Sequence, residues 1–584
     1  MKLKQLLPFL AAALAGRPLA EAKAVFAHFM VGNVAAFAQA DWESDISLAQ
    51  TAGIDGFALN IAAGDTTNDA SLALAFSAAD AKGFKLFFSF DYAAWGAWDA
   101  GRVTDLINTY KGRGSYYKQG SQPLVSTFEG TANSGDWASI RSNTGAFFMP
   151  DYSSIGASKA VATGVVDGLF SWEAWPNGAT DMTTTGDESY ISALAGKPYM
   201  MPVSPWFYTN LPGYGKNWVW RGEGLWYDRW QQVMEIQPEF VEIITWNDYG
   251  ESHYIGPLHE NEFGLFTSGY VTSPYSFLMR IVSKIQSLTP RSHSGAPFNY
   301  VEGMPHDGWR LFLPYLIQQY KTGSATISNE GLTAWYRLNP NTVCSTGSTT
   351  GNDDGHGQVE VAPSAILEDK IFFSALLSST ADVSVSIGGA VQAGTWENKP
   401  SGGSGIYFGS VPFNGGTGDV VVTISRNGKT VAQINGAAIT TACTQNIENW
   451  NAWVGSATAG SGGVTPPATT TPPTTTAAPP ATTTTTPPST PTYGSQVCVG
   501  GTGEGNFEGL CDFTCQYGYC PTGVCTCLAY GTQKTLPPAT GKAGYPLVNE
   551  DGRCGYVGLC SFVYNYGYYP ASACGTDPAG AAGC

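Results

Sequence analysis

Between residues 24 and 248 eight short apolar runs recur, each followed by a segment of helical character, and nothing else in the chain restricts its fold as much. The runs are AVFAHFMVG, DGFALNI, FKLFFSFD, PLVSTFEG, AFFMPDY, DGLFSWEAW, YMMPVSPWF and FVEIITWND. Between them lie WESDISLAQTAG, DASLALAFSAADAKG, RVTDLINTYKG, DWASIRSNTG, SKAVATG, DESYISALAGK and LWYDRWQQVMEIQ, and PYSFLMRIVSKIQSL follows the eighth. Strands alternating with helices are the pattern of parallel βα units. Several of the helical segments close on Gly, as at Gly53 and Gly83, where helices commonly stop. Eight units within about 270 residues predict an α/β fold, a (β/α)8 TIM barrel over 23–298. A doubly wound open sheet is the alternative, but it needs fewer strands, and no Gly-rich dinucleotide fingerprint follows the first one.

A chain of 584 residues exceeds one ordinary core, and its character changes after the eighth run. Over 299–456, ADVSVSIGG alternates at period two, and DVVVTISRNGKTVAQING reads as a hairpin turning at Asn427-Gly428. A β-sandwich accessory domain with a structural role is expected there. Residues 457–493 are a Pro/Thr-rich linker, which cannot bury a core and reads as an extended spacer. Residues 494–584 hold ten of the 12 cysteines and read as a separate disulfide-rich module. The other two, Cys344 and Cys443, are disulfide candidates flanking the middle region. At the start, Lys2 and Lys4 precede a short apolar run and small residues, so 1–22 reads as a signal peptide, with an amphipathic first helix as the alternative. Secretion is expected, and no apolar run is long enough to span a membrane. The formal net charge of -17, without basic patches, argues against a nucleic-acid partner and suits a neutral polymer.

In a barrel, reactive groups belong at the C-terminal ends of the strands. Asp91, Glu129, Asp151 and Glu173 end the third to sixth runs, and Asp248 with Glu251 follow the eighth in WNDYGES. Aromatic residues accompany them, among them Trp172, Trp206, Trp246 and Tyr249. Carboxylates beside flat apolar rings suit the hydrolysis of a glycosidic bond: one acid donates a proton, another activates water or attacks carbon, and the rings stack on sugar faces. A plainer reading has Asp91 or Asp151 capping backbone amides, and Trp226 and Trp230 in the core. Asp248 and Glu251 converge on one cleft only if the chain turns between them, which Gly250 permits. No HExxH stands around any of the six histidines, no G-x-S-x-G nucleophile elbow is present, and NDDGHG near 352 lacks the terminal Glu of a calcium loop. The tail cluster CDFTCQYGYCPTGVCTC lacks zinc knuckles, so no metal or cofactor is expected.

On these motifs, above all VFAHFMVGN, FFSFDY, FMPDY, GLFSWEAWP and TWNDYGESHYIGP, residues 23 to 455 resemble the fungal α-1,3-glucanases, or mutanases, of glycoside hydrolase family 71. The tail, through CDFTCQYGYCP and CGYVGLCSFVYNYGYYP, is similar to the α-1,3-glucan-binding modules of family 24. The resemblance implies hydrolysis of α-1,3-glucan with inversion and makes Asp248 and Glu251 the essential acids, without saying which is the acid and which the base; a monomer is expected. Inversion implies carboxyl groups about 6.5–9.5 Å apart, whereas a gap near about 5 Å belongs to retention. His28, Asp91, Asp151, Trp172, Glu173, Trp206, Trp246, Asn247 and Tyr249 are the expected substrate-binding or tuning neighbours. Tyr517, Tyr519, Tyr564, Tyr566, Tyr568 and Tyr569 in the tail are candidates for stacking on sugar or for core.

Overall fold

The computed structural model describes residues 23–211, 214–259, 266, 299–460, 497–502, 508–517, 525–531, 534, 537, 542, 544–547, 557–566, 568 and 573–577. The expected signal peptide, the helix after the eighth run, nearly all of the linker, and Tyr519 and Tyr569 lie outside them. The chain divides into two compact units, Met1–Thr471 and Pro472–Cys584, each described by itself.

The first unit is a mixed α/β structure. Its strands begin with β1 (Ala24–Met30), β2 (Gly56–Ala62), β3 (Lys85–Asp91), a short β4 (Lys118–Gln119), β5 (Gln122–Phe128), β6 (Phe147–Phe148), β7 (Leu169–Phe170) and β8 (Tyr199–Val203). A hairpin of β9 (Tyr208–Leu211) and β10 (Lys216–Val219) follows, then β11 (Phe240–Ile243). Each of the eight apolar runs supplies one strand. The sheet runs β4-β5-β3-β2-β1-β11-β8-β7 with β6 on β5, and apart from β4 every pairing is parallel. Past β6, Asp151 bridges to Phe128 on one side and to Phe170 on the other.

The packing explains why the runs are apolar on both faces. Successive side chains of a strand point to opposite sides. Phe26 of β1 meets Phe87, Tyr117 and Phe240 on one side, and Phe29 meets Trp42 and Phe57 on the other. Helices supply that second cover: α1 (Gln39–Thr51), α2 (Asn68–Lys82), α3 (Ala100–Tyr110), α4 (Trp137–Thr144), α5 (Ala157–Ala162), α6 (Thr185–Leu194) and α7 (Leu225–Ile236). Gly83, at φ 68, ends α2 in the left-handed region, where a side chain would be strained. Trp226 and Trp230 of α7 are buried, in agreement with the core reading.

Past α7 the unit continues as two antiparallel sheets. One contains β12 (Gly331–Arg337), β14 (Lys370–Leu377), β17 (Thr395–Asn398), β18 (Gly405–Pro412) and β21 (Ala452–Thr458), whereas β13 (Thr350–Gly351) pairs with β10 instead. The other contains β15 (Asp382–Ile387), β16 (Ala390–Ala393), β19 (Gly418–Arg426) and β20 (Lys429–Ile439). Their inner faces share one core, with Leu332, Phe373 and Ala375 from the first and Val385, Val422 and Ile434 from the second. The β19–β20 turn is the expected one, with Asn427 at φ 53 and Gly428 at φ 73. Cys344 and Cys443 are bridged, their Cα atoms 6.3 Å apart.

In the second unit β22 (Val497–Thr502) pairs with β23 (Thr526–Gly531), and β24 (Tyr545–Pro546) with β25 (Cys574–Gly575). Helices Glu508–Gln516 and Val557–Asn565 carry cysteines of the disulfides Cys511–Cys525 and Cys560–Cys574. Among the described residues no helix is long and apolar enough to cross a membrane.

Candidate active site

After β11 the chain leaves the sheet through Ile244 and Thr245 into a single 3-10 turn, Tyr249–Glu251. Asp248 caps this turn, its Oδ1 accepting the Glu251 backbone N–H at 3.2 Å. The expected bend between the two acids is present, but the left-handed residue that completes it is Ser252 (φ 58) rather than Gly250. One oxygen of Asp248, one of Glu251 and a ring nitrogen of His253 all lie within 4.8 Å of one another. The wider gap that inversion implies is therefore not the spacing of the nearest oxygens.

Glu251 is held at both oxygens. Lys216 Nζ, from the start of β10, donates to Oε1 at 2.5 Å, and His253 Nε2 lies 2.9 Å from Oε2. The carboxylate needs a donor at Nε2, so the His253 proton sits there. His253 Nδ1 lies 3.1 Å from Thr245 Oγ1, which also accepts the Asp248 backbone N–H at 2.9 Å. Burial pushes Glu251 up, but the Lys216 ammonium and His253 outweigh it and hold the carboxyl well below the usual range. Asp248 goes the other way: burial and the facing charge of Glu251 raise it, against weaker pulls from His253 and Lys216. The turn thus pulls two neighbouring carboxyls in opposite directions, Asp248 toward its protonated form and Glu251 toward its ionised one. Asp248, Glu251 and His253 are also a donor set of the kind that holds a cation, but Lys216 already supplies the positive charge at Glu251.

The other expected residues divide by position. His28 Nδ1 lies 2.7 Å from Glu242 Oε1, both side chains fully buried, and the imidazole packs edge-on to Trp172 at 4.8 Å. Glu242, raised by burial against the hydrogen bond from His28, escapes a search of strand ends because it stands inside an apolar run. Asp91 accepts the amides of Ala93 and Ala94 at 2.8 and 2.9 Å, the plainer capping role. Asp151 does the same for Ser153 at 3.0 Å, and burial, with Glu129 nearby, pushes its carboxyl up to about 8. Glu173 is exposed, 3.5 Å from the Tyr190 hydroxyl. Trp172 remains half-buried among His28, Phe128 and Phe170.

Trp206, Trp246, Asn247 and Tyr249 are not the rim platforms that stacking on sugar requires, for all four are buried and committed. Trp206 Nε1–H donates to the Trp450 carbonyl at 3.0 Å, and Trp246 Nε1–H to Asp45 at 2.9 Å. Asn247 clasps the end of β1, accepting from Met30 N–H at 2.8 Å and donating to its carbonyl at 3.1 Å. The Tyr249 hydroxyl donates to the Pro257 carbonyl at 2.8 Å. Trp246, Asn247 and Tyr249 belong to the turn segment that presents the acids, and Trp206 packs in the core.

A family model described as Glycosyl hydrolase family 71 matches residues 21–281 and 279–467. The chain belongs to glycosyl hydrolase family 71. A mutanase of Penicillium rubens is 34% identical over 460 residues, which span 76% of this chain and 91% of the relative. A glucan endo-1,3-alpha-glucosidase of Schizosaccharomyces pombe is 32% identical over 454 residues, spanning 74% and 94%. Among solved structures, a GH99 endo-alpha-mannosidase from Bacteroides thetaiotaomicron matches 51% of this chain and 97% of its own at a TM-score of 0.36 and 12% identity, too slight a likeness to carry an argument.

In this family 71 protein the residues that sequence reasoning missed are Lys216, His253, Thr245 and Glu242. A signal for Lys216 does exist: YTNLPGYGKNWV joins two short strand-like stretches through Pro-Gly-Tyr-Gly, the chemistry of a hairpin turn. It identifies the hairpin but not the reach of its lysine.

Proposed function

We propose that this family 71 protein is a secreted hydrolase of α-1,3-glucan, with Asp248 as proton donor and Glu251 as its ionised partner. The observation that carries the assignment is the divided pair itself: Lys216 and His253 hold both oxygens of Glu251, while Asp248 faces that negative charge. Asp248 gives its proton to the glycosidic oxygen as the C1–O bond breaks, and water adds to C1 and loses its proton to Glu251. The names of the two relatives, a mutanase and a glucan endo-1,3-alpha-glucosidase, support the linkage.

A closed (β/α)8 barrel over 23–298 suits this chemistry, since it brings strand ends together around one mouth. The parallel pairings and the two bridges of Asp151 support closure between β5 and β7. The two sheets with a shared core support a sandwich over 299–456, and the disulfides support an extracellular setting. The N-terminal 22 residues are then the signal peptide, 457–493 the tether, 494–584 a family 24-like glucan-binding module, and the whole a monomer.

One observation favours a second stereochemical course. Nearest oxygens within 4.8 Å are closer to the retaining spacing of about 5–5.5 Å than to the inverting one, and on that course Glu251 attacks C1 and water later releases the sugar. The anomer formed first from α-1,3-glucan, read by NMR, distinguishes the two: β signifies inversion and α retention. The same assay tests the residues. Asp248→Asn and Glu251→Gln are each expected to lose at least about 10²-fold in kcat, the scale of lost acid–base catalysis. Full activity in both variants refutes the assignment. Sugar release from β-1,3- or α-1,4-glucan alone points to another linkage, and binding without release to a wall-binding protein.

A further inference from the structure

Of the 17 tryptophans in the chain, Trp95 alone is exposed, at 53%. An indole is the largest apolar side chain, and leaving half of it in water forgoes burial that the others achieve. The loop around it is not loose. At its root Tyr92 N–H donates to the Phe128 carbonyl at 3.0 Å, and Asp91 Oδ1 accepts the amides of Ala93 and Ala94. At its far side Trp98 is buried edge-on to Phe90, its Nε1–H donating to the Asp91 carbonyl at 2.9 Å, and Asp99 caps α3. Between these two anchors Trp95 stands in the exposed tip with Ala93, Ala94, Gly96 and Ala97, none of which carries a side chain larger than a methyl group. Trp95 has no hydrogen-bond or ring partner among the described residues. The capping by Asp91 therefore shapes a loop that holds an indole outward.

This loop belongs to the same rim as the acids. The strands β11, β1, β2 and β3 are parallel neighbours, so their C-terminal ends share one edge. Contacts run along that edge without a break: Asn247, next to Asp248, bonds Met30 at the end of β1, Met30 pairs with Asn60 of β2, and Asn60 Nδ2 lies 3.4 Å from Asp91 Oδ2. Asp91 also acts on Lys216. Burial pulls that ammonium down, and the charges of Glu251, Asp248 and Asp91 outweigh it and hold its pKa up. Three strand steps at the usual spacing make roughly 14 Å between the exit of β11 and that of β3, more than one sugar ring spans.

We propose that Trp95 is a stacking platform for a glucosyl unit of the substrate chain remote from the cleaved bond. The α-1,3 linkage rests on the reading of the substrate above; the platform rests on the exposed indole and its place on the rim. A flat ring covers the C–H face of a neutral sugar, and contact with a unit far from the reacting carbon is equal in the ground and transition states. The platform thus tightens binding of long chains without changing the chemical step.

The test is a length series of soluble α-1,3-linked oligosaccharides with the full chain. Trp95→Ala is expected to raise KM about tenfold for those long enough to reach Trp95 from the acids, with kcat nearly unchanged, and to leave the shortest substrates as they were. Trp95→Phe is expected to recover most of the loss. An unchanged KM at every length, or one raised equally at every length, overturns the proposal. A second readout does not require turnover. In the Asp248→Asn variant a long oligosaccharide is expected to protect Trp95 from oxidation by N-bromosuccinimide, located by peptide mass spectrometry. Parallel protection by β-1,3- and α-1,4-linked chains separates the failures: protection by one of these and not by α-1,3 overturns the linkage while the platform stands, and protection by none overturns the platform.

Discussion

Replacing Lys216 by Met removes the ammonium that lies 2.5 Å from Glu251 Oε1. At that distance two unit charges attract by roughly 7 kcal/mol at an effective dielectric constant of about 20. The lysine side chain is 40% exposed, so solvent screens much of this, and His253 still holds the other oxygen. About 1.5–3 kcal/mol remains, or about one to two pKa units. The sign follows from the charges: Lys216 favours ionised Glu251, so its loss raises Glu251, and the acid limb of kcat/KM against pH moves up by about one to two pH units. Lys216 also pulls Asp248 down, so the alkaline limb moves the same way by less. Initial rates on a soluble α-1,3-linked oligosaccharide across the pH range read both limbs, and Lys216→Arg, which keeps the charge, is expected to leave them nearly in place. A folded Lys216→Met enzyme with an unmoved acid limb, or one moved down, refutes the claim that this lysine sets which carboxyl is ionised.

Two other predictions concern stability and the tail. Asp151, pushed up to about 8, is held protonated when folded, so its contribution is fully present below the unfolded value near about 4 and is lost as pH rises to about 8. Asp151→Asn retains an oxygen for the Ser153 amide and is expected to flatten the fall of the unfolding free energy, read by denaturant titration, over that window by up to a few kcal/mol at its upper end; an unchanged slope refutes the buried-acid account. Deleting 494–584 is expected to slow release of sugar from insoluble α-1,3-glucan about tenfold or more while sparing soluble oligomers, and equal loss on both argues against a tethering role.

The parallel strands were legible because each is apolar on both faces: Phe26 and Phe29 of β1 face opposite ways, and both are buried. The acids after β11 were legible because they stand where such a run stops. What one chain position does not reveal is which side of a strand end a ring faces, so Trp206, Trp246 and Tyr249 read as sugar platforms when all three are buried. Asn247 misled for a related reason, since its amide stitches β1 to the exit of β11 by imitating a backbone pair. Glu242 escaped because an acid within an apolar run has no local mark; its partner His28 lies 214 residues away. Lys216 escaped because its target belongs to another strand's loop.

That loop of origin alters the meaning of the sheets beyond α7, expected to be merely structural. The hairpin carrying Lys216 is fixed from their side: Trp218 and Val219 of β10 pair with Thr350 and Gly351 of β13. Asn217 donates to the Gly347 carbonyl at 2.9 Å and accepts from Thr349 Oγ1 at 2.7 Å, and this segment begins at Cys344, bridged to Cys443. The position of the ammonium at Glu251 therefore depends on a seam made by residues more than 90 positions further along the chain. Asn217→Ala removes both side-chain bonds of the seam and leaves every charge in place. It is expected to cost about 1–3 kcal/mol of stability and, by loosening the lysine, to shift the acid limb in the direction of Lys216→Met but by less than about one unit. Denaturant unfolding and the pH profile are both required, because a purely structural seam lowers stability and leaves the profile untouched. That result would return the second half of this unit to the role of a prop.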